Sequence, residues 1–382
     1  MSIAKELIIV TGSSGRIGSR LISRLADRYE IVGFDDGKPP YPPPPAHCVA
    51  VDLESDQSVN DALQQVYTRY HQRRIAAFVH LAAYYNFTGE PSPKYHSVNV
   101  LGTERLLRAL QSFEVGRFIY SSSMLVHAPQ PPGVLITESS SLDPKWDYPK
   151  SKLAAEEKIF REHGSVPFAI LRIAGVYDDE CHLPALAQQI ARIYERKLIS
   201  RVFPGDSSHG QASIHMDDLL DAFVALISKQ TALPPHQVLL IGEPQTPSYA
   251  QLQHEIGNLI HGEPWETHEI PKVIAKTGAW LEQVALPKEE EPFIKPWMID
   301  LADDHFELDI SLARSLLDWD PQRRLLATLP KMIDALKKDP VTWYRNNDLE
   351  LPDDLEKRTA ASTPNSSPES VPKQTLESHV HN

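Results

Sequence analysis

Tyr148-Pro149-Lys150-Ser151-Lys152 places a phenol and an ammonium four residues apart. At the start of a helix that spacing puts both groups on one face. An ammonium beside a phenol stabilises the phenolate and draws its pKa from about 10 towards neutrality, as proton exchange with an alcohol or ketone requires. A lone YxxxK recurs by chance, and its weight here comes from what precedes it. Gly12, Gly15 and Gly18 stand between the apolar run Leu7–Val10 and a helix-like stripe of Ile17, Leu21 and Leu25. Glycines at that junction let the backbone turn sharply and approach a pyrophosphate, whose charge then rests on the helix N-terminus. Asp35 follows Gly12 by 23 residues and closes the second apolar run. A carboxylate there accepts hydrogen bonds from a ribose diol and repels a 2′-phosphate, so NAD is favoured over NADP. Arg16 suits either a pyrophosphate or a 2′-phosphate, and Asp36 reads as a solvated turn residue.

Positioning these groups requires alternating strands and helices. Strand-like runs are expected at Leu7–Val10, Tyr29–Phe34, His47–Val51, Ala77–Leu81, Phe118–Ser121 and Phe168–Ile173, with helices at Ser55–Tyr70, Asn99–Gln111 and Ser151–His163. That rhythm predicts an α/β fold, a Rossmann-type doubly wound parallel sheet with a smaller C-terminal substrate lobe. Residues 1–177 would form the cofactor domain, with 211–242 returning to it. Residues 178–210 and 243–355 would form the lobe and 356–382 a disordered Ser/Thr/Pro-rich tail; beyond Tyr177 helices are expected at Pro184–Arg196, Met216–Lys229 and Tyr249–His261.

The 382 residues are ample for a large core without staples. A net charge of −13 argues against nucleic acid or an anionic membrane as the main partner. The two cysteines, Cys48 and Cys181, form no CxxC and fit a reducing compartment. No secretory or transmembrane segment is expected: the apolar stretch Val273–Leu286 is short and carries Lys276 and Glu282. A cytoplasmic enzyme is the expectation. Thirty-two prolines, six of them within 39–45, imply a stiff surface loop there. His209, His215, Asp217 and Asp218 do not match a defined metal-ligand spacing, so no metal is expected.

Across residues 7–335 the chain resembles the extended short-chain dehydrogenases/reductases, which include NAD-dependent sugar epimerases, dehydratases and 3β-hydroxysteroid dehydrogenases. The resemblance rests on Thr11–Gly18, Asp35, Asp52-Leu53, Val79–Ala83, Val98–Thr103, Tyr120–Ser123, Tyr148–Lys152, Leu171-Arg172, His215–Asp218, Leu308–Ile310 and Trp319–Pro321. It implies that Gly12, Gly15, Arg16, Ile17 and Gly18 hold the pyrophosphate, Asp35 the adenine ribose, and Asp52 and Leu53 the adenine. Leu81, Ala82, Ala83 and Asn99 would line the path to the nicotinamide, Ser121 would touch the cofactor, and Lys152 would also bond its ribose. Ser123, 25 residues before Tyr148, falls where the family places its catalytic serine or threonine. Tyr148 would exchange a proton with the substrate oxygen held by Ser123, while hydride passes between the same carbon and the nicotinamide. The family uses the HxDD stretch at a helix start, with Asp as the cap. Helices 99–111 and 151–163 are candidates for a homodimer interface.

Three departures from the nucleotide-sugar pattern bear on the substrate. Gln211 stands where many such members carry an arginine that clamps a diphosphate. Val126-His127-Ala128 replaces the usual Val-Tyr-Gly, and Gly175-Val176 replaces Asn-Pro. Ten acids face three bases between Leu286 and Asp320, an unwelcoming field for a diphosphate. Tyr84, Tyr85, Asn86 and Phe87, joined by Met124 and Trp297, would form an aromatic wall. The expectation is therefore an NAD-dependent oxidoreductase acting on a weakly polar secondary alcohol or ketone. The alternatives are a nucleotide-sugar epimerase or dehydratase and, of another class, a non-catalytic dinucleotide sensor.

Overall fold

The computed structural model describes residues 5–37, 45–86, 89–277, 296–353 and 355–356. Most of the proline run, Phe87, the greater part of 273–286 and the tail beyond 356 lie outside the described residues.

Every residue of β1 (Leu7–Thr11) is buried, because both faces of the strand are covered. Ile8 and Val10 point into a core shared with helices α1 (Arg16–Leu25) and α6 (Met216–Ser228). Leu7 and Ile9 point the other way, against α2 (Asp56–Arg69), α3 (Leu101–Leu110) and α4 (Asp147–Glu162). This two-sided burial is why the strand is an unbroken apolar run rather than an alternating one. Strands β2 (Glu30–Asp35), β3 (His47–Ala50), β4 (Ile75–His80), β5 (Phe118–Ser123), β6 (Phe168–Ile173) and β10 (His236–Ile241) complete a seven-stranded sheet. Its order is β3-β2-β1-β4-β5-β6-β10, and all pairings are parallel. The order reverses between β1 and β4, so a ligand crevice opens at the carboxyl ends of those two strands.

A smaller lobe is built from α5 (Pro184–Tyr194), α7 (Tyr249–His261), α9 (Leu325–Lys338) and α10 (Pro340–Asn346), with a shorter α8 (Ser311–Leu317) leading back under the sheet. Its core gathers Ile190, Trp265, Leu329, Met332, Trp343 and Tyr344. Three-residue strands form two further parallel pairs outside the main sheet, β7 (Gly175–Tyr177) with β9 (Ser213–His215) and β8 (Val202–Pro204) with β11 (His268–Ile270).

Three local features differ from the sequence reading. A π-helical turn, Tyr95–Val100, precedes α3, where an ordinary helix from Asn99 was expected; the wider turn carries Asn99 inward, fully buried. Helix α4 begins at Asp147, because Pro149 is tolerated in a first turn whose N–H groups need no intrahelical partner. The cap of α6 is His215, whose Nδ1 accepts from the Asp217 N–H at 3.1 Å. Asp217 is free to face Arg323 (2.8 Å) and Arg24.

Buried Arg117 ties the start of β5 to the far sheet edge. Its guanidinium donates to the carbonyls of Phe168, Gln230, Leu233, Pro234 and Pro235 at 2.8–3.2 Å. The Pro235 carbonyl also accepts from the Phe168 N–H at 2.9 Å, but removing the cation still takes a donor from every one of these carbonyls. Arg117→Met is expected to cost about 3 kcal/mol of stability, read as a lower urea midpoint. An unchanged midpoint would contradict the role.

Candidate active site

The glycine loop fits a dinucleotide by closeness of backbone to backbone. Gly12 has φ of +68°, and a Cβ there would lie 2.8 Å from the Ala82 nitrogen. A Cβ on Gly18 would lie 2.1 Å from the Gly12 carbonyl oxygen, while Gly15 N–H donates to that oxygen at 3.1 Å. No side chain therefore fills the space over the N-terminus of α1, where a pyrophosphate would rest. Asp35, at the end of β2, accepts from the Ser14 and Asp36 N–H groups at 2.7 and 2.9 Å, which fixes a carboxylate beside the loop. Asp52 is exposed and accepts from the Glu54 N–H, and Leu53 is buried against Gly102. Ile17 packs on the core beneath the loop. The Arg16 side chain turns away to the lobe, donating to the Asn346 carbonyl (2.8 Å) and the His182 carbonyl (3.4 Å).

A chain of hydrogen bonds that the sequence did not advertise sets the wall of this crevice. The Thr11 hydroxyl accepts from the Leu81 and Ala82 N–H groups at 3.2 and 3.1 Å, so its proton goes to His80 Nδ1 at 2.7 Å. The Thr103 hydroxyl donates to the Asn99 carbonyl at 2.6 Å and so accepts from His80 Nε2 at 3.0 Å. These partners assign a neutral imidazole protonated at Nε2. Burial, then the nearby Lys152, lowers its pKa to about 3. Asn99 continues the chain: its Oδ1 accepts from Tyr84 N–H (2.6 Å), and its Nδ2 donates to the Tyr84 carbonyl and to Ser151. Asn99 thus holds the segment Leu81–Tyr84 rather than presenting its amide to the crevice.

Ser123 ends β5, and its hydroxyl accepts from Leu125 N–H at 3.2 Å, leaving its proton available to donate. Ser121 donates to the His80 carbonyl. Fully buried Lys152 donates to the Ser121 carbonyl at 2.8 Å, which pins α4 to the end of β5. Its nitrogen lies 4.8 Å from the centre of the Tyr120 ring and 5.7 Å from that of Tyr148. Burial lowers the Lys152 pKa to about 7, opposed by Glu156. The Tyr148 phenol is pushed up, first by burial and then by Tyr85 and Tyr95. This differs from the expected downward pull: desolvation of the phenol and the neighbouring phenols raise it instead.

The aromatic wall is partly as expected and partly new. Tyr85 meets the Tyr148 ring edge-on at 4.7 Å, and Trp146, unremarked in the sequence despite its place two residues before Tyr148, lies 5.5 Å from it and 5.4 Å from Trp297. Tyr85 remains half exposed. Tyr84 packs on Tyr95 (5.0 Å), and Asn86 shares hydrogen bonds with the Tyr95 hydroxyl. Met124 is buried in the sheet core with Ile136 and Ile173, so it supports the site from below instead of lining it. Gln211 is exposed and pairs its backbone with Phe306. Among the described residues no group of three or more His, Cys, Asp or Glu could hold a metal, and no helix is long and apolar enough to cross a membrane.

Comparison with known proteins agrees with this geometry. Residues 8–242 match the model of the NAD dependent epimerase/dehydratase family. A UDP-glucose 4-epimerase of Mycolicibacterium smegmatis is 26% identical over 339 residues, covering 86% of this chain and 98% of that protein. A 3-beta-hydroxysteroid dehydrogenase of Mycolicibacterium neoaurum is 34% identical over 118 residues, 30% of this chain and 31% of that protein. The crystal structure of a Bacillus cereus UDP-glucuronic acid 4-epimerase, in complex with UDP-glucuronic acid and NAD, superposes with a TM-score of 0.64 at 22% identity, covering 87% of this chain and 99% of that one.

Two outcomes follow from the crevice. Asp35→Ala is expected to weaken NADH about tenfold, or about 1.4 kcal/mol, in a fluorescence titration; an unchanged affinity would remove Asp35 from the ribose site. Stability should also fall as pH drops below about 6.5, because unfolded His80 takes a proton there that the folded chain refuses until about 3. His127, lowered to about 4, acts in the same direction. Between pH 7 and 5 the His80 share is about 2 kcal/mol. His80→Gln should flatten the slope by that amount in urea unfolding, and an identical slope would sink the assignment of a neutral imidazole.

Proposed function

This chain belongs to the NAD-dependent epimerase/dehydratase family, and from that premise we propose that it oxidises a secondary alcohol carbon of a nucleotide sugar during epimerisation or dehydration. NAD, when bound in the crevice, supplies the acceptor for hydride from that carbon. The protein's own groups do the rest. Ser123 donates a hydrogen bond to the sugar oxygen and holds it beside Tyr148. Tyr148 takes the hydroxyl proton, and Lys152, anchored on the Ser121 carbonyl, supports the phenolate. The Thr11–His80–Asn99 chain fixes the backbone of Leu81–Tyr84 against which the nicotinamide would lie.

The observation that carries the sugar reading is the end-to-end alignment with a UDP-glucose 4-epimerase, which includes the lobe and not only the cofactor domain. A second reading has its own support. Tyr85 and Trp146 crowd Tyr148 with aromatic rings, Trp297 extends that wall behind Trp146, and Gln211 offers no charge to a diphosphate. Both favour a weakly polar alcohol, oxidised with net release of NADH.

Incubation with UDP- and dTDP-hexoses, followed by NMR of the sugar and by NADH absorbance, separates the two. An inverted or 4-keto-6-deoxy sugar without accumulating NADH supports the first reading. Stoichiometric NADH from apolar secondary alcohols, with sugars inert, overturns it in favour of the second. In either reaction Tyr148→Phe is expected to lower kcat by about 10²–10⁴ while NADH still binds.

A further inference from the structure

A buried ion pair lies directly behind the Tyr148–Lys152 face. Glu156 is one turn beyond Lys152 on α4 and is 1% exposed. Its carboxylate accepts from Arg172 Nη2 at 2.7 Å and Nε at 3.1 Å, and from the Ser122 hydroxyl. Arg172 spends its remaining nitrogen on His127 Nε2 (3.0 Å) and the Glu138 carbonyl (3.1 Å). Arginine and carboxylate here are oriented, not merely neutralised. The negative end of the pair lies towards Lys152 and the serine strand, and the positive end towards His127. Buried ion pairs are poor devices for stability, since apolar replacements often do as well. Its location next to three reacting side chains suggests another use.

We propose that Glu156, clamped by Arg172 and Ser122, is a positioning residue that keeps the Lys152 ammonium charged and the Ser121–Ser123 strand end fixed while Tyr148 passes between phenol and phenolate. This rests on the Ser-Tyr-Lys roles proposed above. The reasoning is electrostatic. Lys152 and Tyr148 can share one proton in two ways: ammonium with phenolate, or amine with phenol. Only the first is a base for the substrate hydroxyl. A carboxylate nearer to Lys152 than to Tyr148 favours the first. Removing that charge lets Lys152 shed its proton at lower pH, and the ammonium that would support the phenolate is then lost. The other titratable groups facing this pair are His80, lowered by burial and kept neutral, and the Tyr120, Tyr85 and Tyr95 phenols, all raised by burial. None of them supplies a compensating negative charge at neutral pH.

The test follows the Lys152 side chain of the full chain against pH by NMR of 13C-labelled lysine, with the Lys152→Met spectrum subtracted so that only Lys152 is read. Glu156→Gln is expected to lower the Lys152 midpoint by about one pH unit or more, a tenfold loss of ammonium at fixed pH above it. Because Glu156→Gln leaves Arg172 buried without its partner, the double variant Glu156→Gln/Arg172→Met is measured beside it. It removes both charges, and the same downward shift is expected. A double variant that folds and titrates like wild type overturns the proposal, and so does failure of both variants to fold, which would make the pair a folding requirement. Absence of NADH binding or of turnover in wild type would instead count against the proposed function, since the lysine titration needs neither.

Discussion

The neutral imidazole of His80 is the constraint on which the site depends. From β4 it reaches the neighbouring strand at the point where the sheet order reverses, through Thr11 on β1, and also the helix that follows, through Thr103 on α3. Its hydrogen bonds leave no freedom of tautomer: Nδ1 must accept and Nε2 must donate. From it the chain passes through Asn99 to Tyr84 and to Ser151 on α4. The cofactor crevice and the helix bearing Tyr148 and Lys152 are therefore positioned by one continuous set of bonds. A charged imidazole would break this set at the Thr11 hydroxyl and place a second cation beside Lys152, so burial of His80 and accuracy of the site are the same requirement.

Much of the fold was legible because its signals are local. Continuous apolar runs such as Leu7–Val10 report a strand covered on both faces, and Gly12, Gly15 and Gly18 report a backbone approach that no side chain would survive. Boundaries were less legible where tertiary demands override propensity. The π turn at Tyr95–Val100 exists because Asn99 must reach the Tyr84 backbone, a partner 15 residues away that no periodicity reveals. The cap of α6 was misread for a similar reason: Asp is the better cap by frequency, but both aspartates are drawn to Arg24 and Arg323 from other elements, and His215 takes the duty.

At the site, residue types were easier to read than their electrostatics. Tyr148 and Lys152 follow from spacing and Ser123 from the family resemblance, but the pKa of a phenol depends on how much water is removed, and sequence carries no measure of that. The wall shows the same division. Tyr85 and Trp297 were visible as aromatics near the right strand or lobe, whereas Trp146 becomes part of the wall only because α4 begins at Asp147, which turns the preceding ring towards Tyr148. Met124 has the same apolar character but sits one strand end lower, and the core claims it.

Arg16 shows how one residue resolves a conflict between cofactors. Its backbone opens α1, whose positive end is left free for an anion. Its guanidinium, a group that could have welcomed a 2′-phosphate, reaches instead to the Asn346 carbonyl at the negative end of α10 and to the His182 carbonyl. Asn347 secures the same corner by accepting from His182 N–H and donating to the Glu180 carbonyl. With the arginine committed to the lobe and the Asp35 carboxylate held by two N–H groups beside the glycine loop, a fixed negative charge stands beside that loop. Such a charge opposes a phosphate in its neighbourhood, in keeping with NAD as the cofactor.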